Sequence, residues 1–546
     1  MTGATTSPPG TAPLGTTPPA GTRSRGGAPV SGAGAATARA PATPAGPPHP
    51  APAGATGAGG WLIPVLVLVV GNFMAVLDVT IVNVAVPSIQ KDFGGSLDDV
   101  LWIATAYTLM LGVIVPLSSW LGERLGLTLV YILSLVGFAV GSALCGLAGN
   151  LDTLIAFRVL QAIPGGVMPV VAMTLVYRIV PRHKLGAAMG IFGLGIIFAP
   201  AVGPVLGGYF VEYLDWRLVF YVNVPVGIAG AVAASLLLPK APGRAGRRFD
   251  LPGFLCIALG LFAVLLAASE GSDWGWDGYR IRMLLVGGAL CLALFVVVEL
   301  HVEQPLLDIR VFRVWPFTSS LLMLSALQIN LLGISFFVPV FLQQGQHKEA
   351  FDAGILLLPQ AIATGLLSPL VGRLYDKIGP RWLGVCGLVI CAYGTFLLAA
   401  ITPAMTRSDV IFWTCVRGVG LGMSIMPIMT AGLAALPPAD TNLGSALNNV
   451  ARQTSGALGL AVLSALSTSQ QAQLFADRAA LIHSTGPAVG AATATPGTLA
   501  AMYGRYQALA GQVLATSYAN LFLIIAVVTG SGALLALFMR SPNRSR

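Results

Sequence analysis

Charge is what this chain has least of. Only 9% of its 546 residues are charged and 55% are hydrophobic, whereas a soluble globular protein carries roughly 25% charged residues. A chain so composed cannot clothe a water-facing surface of its own size. Lysine is scarcer still: Lys91, Lys184, Lys240, Lys348 and Lys377 are the full set, and none precedes Ser or Thr. A GxxxxGK[ST] phosphate loop is thereby absent, and ATP hydrolysis by that route is excluded. No CxxC pair occurs, and the six cysteines all fall inside apolar runs, where they read as small hydrophobes. The five histidines sit in tails and connections without ligand spacing, so no metal or haem is expected. HExxH, GxSxG and clustered intramembrane acids are also lacking, which argues against an enzyme.

Long apolar runs are what the chain does have. Residues 1–60 stand apart, with 13 Gly, 12 Pro, three arginines and no acid. Such a segment cannot bury enough apolar surface to offset its ordering entropy, and it reads as a disordered cytoplasmic tail. From Trp61 onward, runs of roughly 20 or more apolar residues recur, each enough to cross a hydrocarbon core about 30 Å thick. They cover 61–86, 100–121, 128–148, 152–180, 186–210, 216–239, 251–270, 283–302, 316–344, 351–375, 381–402, 408–436, 443–468 and 515–540. The expected fold class is an all-α integral membrane protein with fourteen transmembrane helices. One large soluble helical core would need polar outer faces with a 3.6-residue period, and these runs lack them.

The net charge of +9 would ordinarily raise nucleic acid as a partner. The placement of the bases says otherwise. With the N-terminus inside, nineteen Lys and Arg fall on the cytoplasmic side, eight on the outer side, and Arg158, Arg417 and Arg452 lie within spans. That bias predicts both termini cytoplasmic in the cell (inner) membrane, with lipid as the surrounding partner and no nucleic acid. The long outer connection, 469–514, contains an amphipathic stretch near 470–482, expected to pack over the outer surface or to contact a partner.

Two short connections repeat. Gly372-Arg373-Leu374-Tyr375-Asp376-Lys377-Ile378-Gly379-Pro380-Arg381 follows the tenth span, and Ser119-Trp120-Leu121-Gly122-Glu123-Arg124-Leu125-Gly126 follows the second. Glu123 and Asp376 are 253 residues apart, and Arg158 and Arg417 are 259 apart. Two features at nearly one offset predict equivalent six-helix halves, 61–239 and 316–546, with 240–315 as an inserted helix pair and its linkers. A carboxylate in such a turn can cap a neighbouring helix and form a latch that breaks when the halves rock; it can also be a plain hairpin.

These connections resemble the signature loop of the major facilitator superfamily. The second copy matches at Gly372, Asp376, Lys377, Gly379 and Arg381, while the first departs from it, with Ser119 and Glu123 in place of Gly and Asp and only Arg124 as its base. Gly203-Pro204-x-x-Gly207-Gly208 in the fifth span resembles that superfamily's antiporter motif. The run from Leu77 to Pro87, Arg158-Val159-Leu160-Gln161, and Asp215-Trp216-Arg217 with Asn223 are similar to the fourteen-span drug/proton antiporter branch. The resemblance implies two six-helix bundles plus two inserted helices, export rather than uptake, and no bound cofactor, a proton gradient being the energy source. It also leaves room for a periplasmic adaptor, which nothing in this chain encodes.

Asp78 carries the functional expectation. A lone carboxylate within a span costs about 2.5–3.5 kcal/mol on insertion scales and normally faces a cavity or a partner. Asp78 lies nine residues before Pro87 and Arg158 seven after Leu151, which places both some 10–14 Å below the outer surface. Such a pair can serve as a proton switch for which a cationic substrate competes, or it can simply lock two helices. Asn83, Tyr107, Gln161, Asn330, Arg417 and Arg452 are expected to line a substrate cavity, and Trp102, Tyr107 and Phe220 to stack on lipophilic cations or to pack helices. Glu123, Arg124, Gly203, Pro204, Gly207, Gly208, Asp215 and Arg217 are expected to gate, together with the second loop. The function expected is proton-driven export of amphipathic or cationic toxic compounds. Export of one metabolite or antibiotic, uptake by symport, and a transport-dead sensor are the alternatives.

Overall fold

The computed structural model describes residues 60–538, apart from 241, 244–248, 272–273, 277, 347, 349, 439 and 486–495. All of these belong to one compact unit, residues 54–546. The expectation for the 1–60 tail falls almost wholly outside the described residues, as do Arg540, Arg544 and Arg546.

Seventeen α-helices are formed by the described residues. The first group is α1 (Leu62–Phe93), α2 (Leu97–Ile114), α3 (Leu117–Leu125), α4 (Leu127–Gly146), α5 (Leu151–Ile179), α6 (Leu185–Tyr213), α7 (Leu218–Tyr221) and α8 (Asn223–Leu237). The inserted pair is α9 (Leu251–Glu270) and α10 (Tyr279–His301). The last group is α11 (Trp315–Gln344), α12 (Ala350–Ile355), α13 (Leu358–Ile378), α14 (Pro380–Leu398), α15 (Arg407–Ala434), α16 (Thr441–Thr485) and α17 (Pro496–Leu537).

Each of the fourteen expected spans overlaps one helix or two consecutive helices. Ten segments are long and apolar enough to cross a membrane by themselves, and α2 with α3, bent by 57°, make an eleventh. The bend falls at Pro116, whose ring removes a backbone donor. The other three expected spans are α6, α12 with α13, and α16. The connection 469–514 differs from expectation, because α16 runs unbroken to Thr485 and α17 begins at Pro496. The stretch 470–482 is therefore a continuation of α16, not a separate helix.

Local sequence sets the helix ends. Ser96, Asn150 and Thr406 close capping boxes at the starts of α2, α5 and α15, satisfying amide donors that a membrane interior would leave bare. Gly126 and Gly379 end the two repeated connections with φ of 91° and 89°. A side chain is strained there, so glycine recurs at the same place in both turns.

The two groups pack alike. α1 lies along α6, α4 along α5 and α8, and α2 along α5; correspondingly, α11 lies along α16, α14 along α15 and α17, and α13 along α15. α9 touches α2 of the first group and α16 of the second, and α10 packs on α9. The groups meet chiefly at the end of the bundle where α3, α5 and α13 finish and α6 and α16 begin, here called the basic end. There Gly186 and Gly372 approach so closely that a Cβ on either would strike the other's carbonyl oxygen. Ser368 Oγ donates to Gly190 O at 3.3 Å, and Asn442 Nδ2 donates to Ser119 O at 2.8 Å.

Candidate functional site

Four helices place one buried polar cluster in the first group. Asp78 on α1 and Arg158 on α5 form an ion pair of 2.6 Å, with side-chain exposures of 0% and 1%. Gln161, one turn past Arg158, accepts from Arg158 Nη1 at 2.7 Å and donates through Nε2 to Asp78 Oδ1 at 3.0 Å. Asn223, at the start of α8, donates to the same oxygen at 3.0 Å. Ser142 on α4 accepts from Gln161 at 2.9 Å and from Asn223 at 3.0 Å. Gly141 permits this packing, since a Cβ there would press on Gln161.

The two oxygens of Asp78 thus take three donors, and the charge of Arg158 is balanced within the cluster. A buried pair of this kind is held by the hydrogen bonds around it, which here reach both oxygens of the carboxylate. The Arg158 guanidinium also lies 3.9 Å over the Tyr107 ring and 5.6 Å from that of Phe220. Those two rings hold the protein's own cation in this arrangement. Trp102 is elsewhere, lining an apolar cavity of about 330 Å³ with Met110, Val159, Ala258 and Phe262.

The second group builds a related cluster without the carboxylate. Arg417 on α15 is 0% exposed. Its Nε donates to Asn330 Oδ1 at 2.8 Å, its Nη1 to Gln360 Oε1 at 2.6 Å, and its Nη2 to Asn330 O at 3.1 Å. Asn330 Nδ2 donates in turn to Thr395 at 2.8 Å and Thr529 at 3.0 Å. Asn330 stands where Asp78 stands in the first group, so the second cluster pairs its arginine with an amide in place of a carboxylate.

The gating residues sort into two clamps. At the basic end, the Asp376 carboxylate accepts from the amides of Gly186 at 3.0 Å and Ala187 at 3.2 Å, capping the first turn of α6 across the two groups. Burial raises the Asp376 pKa above the usual carboxylate value, and the two amides oppose that shift. Lys377 and Arg381 are exposed nearby. At the opposite end, Arg217 pairs with Asp92 at 3.1 Å and Asp215 at 3.8 Å, and Trp216 Nε1 donates to Asp92 at 3.1 Å, which ties α7 to the end of α1. In the first loop copy, Arg124 stacks on Trp120 at 5.0 Å. Asn442 on α16 reaches this loop at the backbone oxygen of Ser119.

Gly203 and Gly207 let α6 lie against α1: a Cβ on Gly203 would meet Thr80, and one on Gly207 would meet Ile81. Gly208 faces open space, so its role is not one of close approach. The Pro204 side chain lies outside the described residues. Asn83 is exposed and joins neither cluster. Arg452 on α16 is partly exposed, and its Nε donates to Gln328 Oε1 at 3.4 Å.

Residues 68–460 match the family model described as Major Facilitator Superfamily. The chain belongs to this superfamily. It is similar to the Multidrug resistance protein B homolog of Mycobacterium tuberculosis (30% identical over 490 residues, 88% of this chain and 90% of the relative). It is likewise similar to the Tetracenomycin C resistance and export protein of Streptomyces glaucescens (30% over 483 residues, 86% and 89%). A third relative is the Lincomycin resistance protein LmrB of Listeria monocytogenes (30% over 414 residues, 76% and 88%). Among solved structures, the proton:xylose symporter XylE superposes with a TM-score of 0.57 at 13% identity, covering 88% of this chain and 96% of that one. At that identity the likeness concerns the fold alone. This chain is a membrane-embedded superfamily transporter, and its relatives include proteins named for drug resistance.

Ser142, Asn223, Gln360, Thr395 and Thr529 complete the clusters, and none is predicted above as a site residue. The repeat offset carries a signal for three of them. Adding 253 to Tyr107, Gly141 and Ser142 leads to Gln360, Gly394 and Thr395, and a Cβ on Gly394 would press on Arg417 as one on Gly141 presses on Gln161.

Proposed function

We propose that this transporter exports amphipathic toxic compounds across the cell membrane in exchange for protons, with both termini on the cytoplasmic side. The observation that carries the reading is the buried carboxylate of Asp78, engaged by Arg158, Gln161 and Asn223 where four helices of the first group meet. Proton uptake at Asp78 removes the charge that holds Arg158 and loosens α1 from α5. α1 is packed along α6 through Gly203 and Gly207, and the first turn of α6 is the part that Asp376 caps from the second group. A change at Asp78 therefore reaches the clamp at the basic end along two continuous helices, and alternating access follows when that clamp opens. No cofactor enters this scheme; the proton gradient supplies the energy, and the chain acts as a carrier, not an enzyme.

The test uses energised membrane vesicles loaded with fluorescent amphiphiles. Extrusion by the intact protein collapses with an uncoupler and is lost in Asp78→Asn at equal expression. Undiminished, uncoupler-sensitive extrusion by Asp78→Asn would sink the assignment. The Streptomyces relative, named for one compound, supports a second reading, export of a specific antibiotic or metabolite. A broad substrate panel in an efflux-deficient host separates the two by the number of compounds moved.

A further inference from the structure

α16 carries a polar stripe that neither cluster uses. Thr441, Ser445, Asn448, Arg452 and Ser455 follow one another at spacings of four, three, four and three, which aligns them on one helix face. Asn448 is 1% exposed, yet neither its carbonyl oxygen nor its amide nitrogen has a partner. Ser445 Oγ is buried and unpartnered in the same way. One turn beyond Asn448, Arg452 lies eleven residues into the helix, roughly 16 Å from its start at 1.5 Å per residue. Its side chain makes one hydrogen bond, of 3.4 Å, to Gln328 Oε1. No carboxylate among the described residues pairs with it.

The charges of the two clusters already have partners. Asp78 and Arg158 neutralise each other, and Arg417 is enclosed by Asn330 and Gln360. Arg452 is the cation left available, and it remains partly exposed inside the bundle. Three arginines against one aspartate also give these intramembrane positions a positive balance, which opposes a purely cationic ligand. Buried amides and hydroxyls normally find partners, so an unpartnered Asn448 and Ser445 beside a guanidinium held by a single 3.4 Å hydrogen bond describe a site completed by something else.

We infer that this stripe, Ser445, Asn448 and Arg452 with Gln328 across from it, is a binding site for an acidic oxygen group of the exported compound, a carboxylate or an equally acidic enol or phenol. The inference rests on the export reading above and narrows it to amphiphiles that carry such a group. Arg452 supplies charge and donors; Asn448 supplies a donor and an acceptor, which suits a headgroup with a neighbouring hydroxyl.

The experiment is equilibrium binding to the purified full-length protein, using three probes that share an anthracene body and carry a carboxylate, a neutral hydroxymethyl or a trimethylammonium group. The carboxylate probe binds at least about tenfold tighter than the ammonium probe, as one charge-assisted contact provides. Arg452→Gln abolishes that preference, and Asn448→Leu, which keeps the charge, weakens the carboxylate probe severalfold. Arg452→Lys retains the preference in reduced form and serves if Arg452→Gln does not fold. Equal binding of the three probes, tighter binding of the ammonium probe, or a preference that survives in Arg452→Gln overturns the inference. Uncoupler sensitivity of extrusion is read separately: its absence, with an Arg452-dependent preference in binding, would fail the proton-coupled reading and leave this site standing.

Discussion

At the residue scale, the distinction that matters is between Asp78 and Asn330. Both sit opposite a buried arginine, but only Asp78 can change charge. Removing one partner of a buried ion pair typically costs about 3–5 kcal/mol, because the other charge is left unmatched. Asp78→Asn is therefore expected to lower the melting temperature of the purified protein. Adding Arg158→Gln to it removes the orphaned cation and recovers part of that loss, while coupled transport stays absent. A thermal-denaturation series on the two variants, with vesicle transport alongside, checks both halves of the statement. If the double variant regained coupled transport, the pair would be only a structural lock. Asp78 and Arg158 are legible in the sequence because an intramembrane charge is conspicuous among apolar neighbours. Ser142 is not, because serine is tolerated at many places in a span and only its convergence with the others gives it a role, and Asn223 shows in the sequence as part of a motif but not as a partner of Asp78.

At the element scale, α1 and α6 act as one unit because small residues let their backbones meet. Gly203 faces Thr80 and Gly207 faces Ile81, within three residues of Asp78. Replacing Gly207 by leucine forces the helices apart and is expected to cost about 1–3 kcal/mol, the usual range for overpacking, with a fall in transport beyond what reduced expression explains. Gly208→Ala, which meets open space, is the contrasting control, and quantified expression with initial transport rates distinguishes them. The clamp at the other end of α6 gives a second prediction. Asp376→Asn keeps one acceptor oxygen but loses the charge at the helix N-terminus, where a carboxylate is worth about 0.3–1 kcal/mol. It is expected to reduce transport severalfold without abolishing it, and normal rates would remove Asp376 from the gate. The repeated loop makes this clamp visible in the sequence, whereas its partner, the α6 amides, is found only by placing the two groups together.

At the scale of the whole molecule, contacts between the groups gather at the basic end, and the closest backbone approaches are Gly186 with Gly372 and Gly190 with Ser368. A rocking carrier must part these surfaces in each cycle. In a background without native cysteines, Gly190→Cys with Ser368→Cys is expected to cross-link under mild oxidation and stop transport, and reduction restores it. Transport that continues in the cross-linked protein would rule out rocking about this contact. The apolar runs alone determine that the chain is a helical membrane protein, since backbone polar groups in lipid must be paired within each segment. The repeat offset determines that two similar halves flank an inserted pair, because a fixed spacing of turn and charge motifs survives only if the helices between them keep their lengths. Tertiary structure alone decides which polar residues meet. The convergence of α1, α4, α5 and α8 on Asp78, the capping of α6 by Asp376, and the isolation of Arg452 on α16 depend on rotations of whole helices, which apolar sequences leave unspecified because lipid accepts any apolar face.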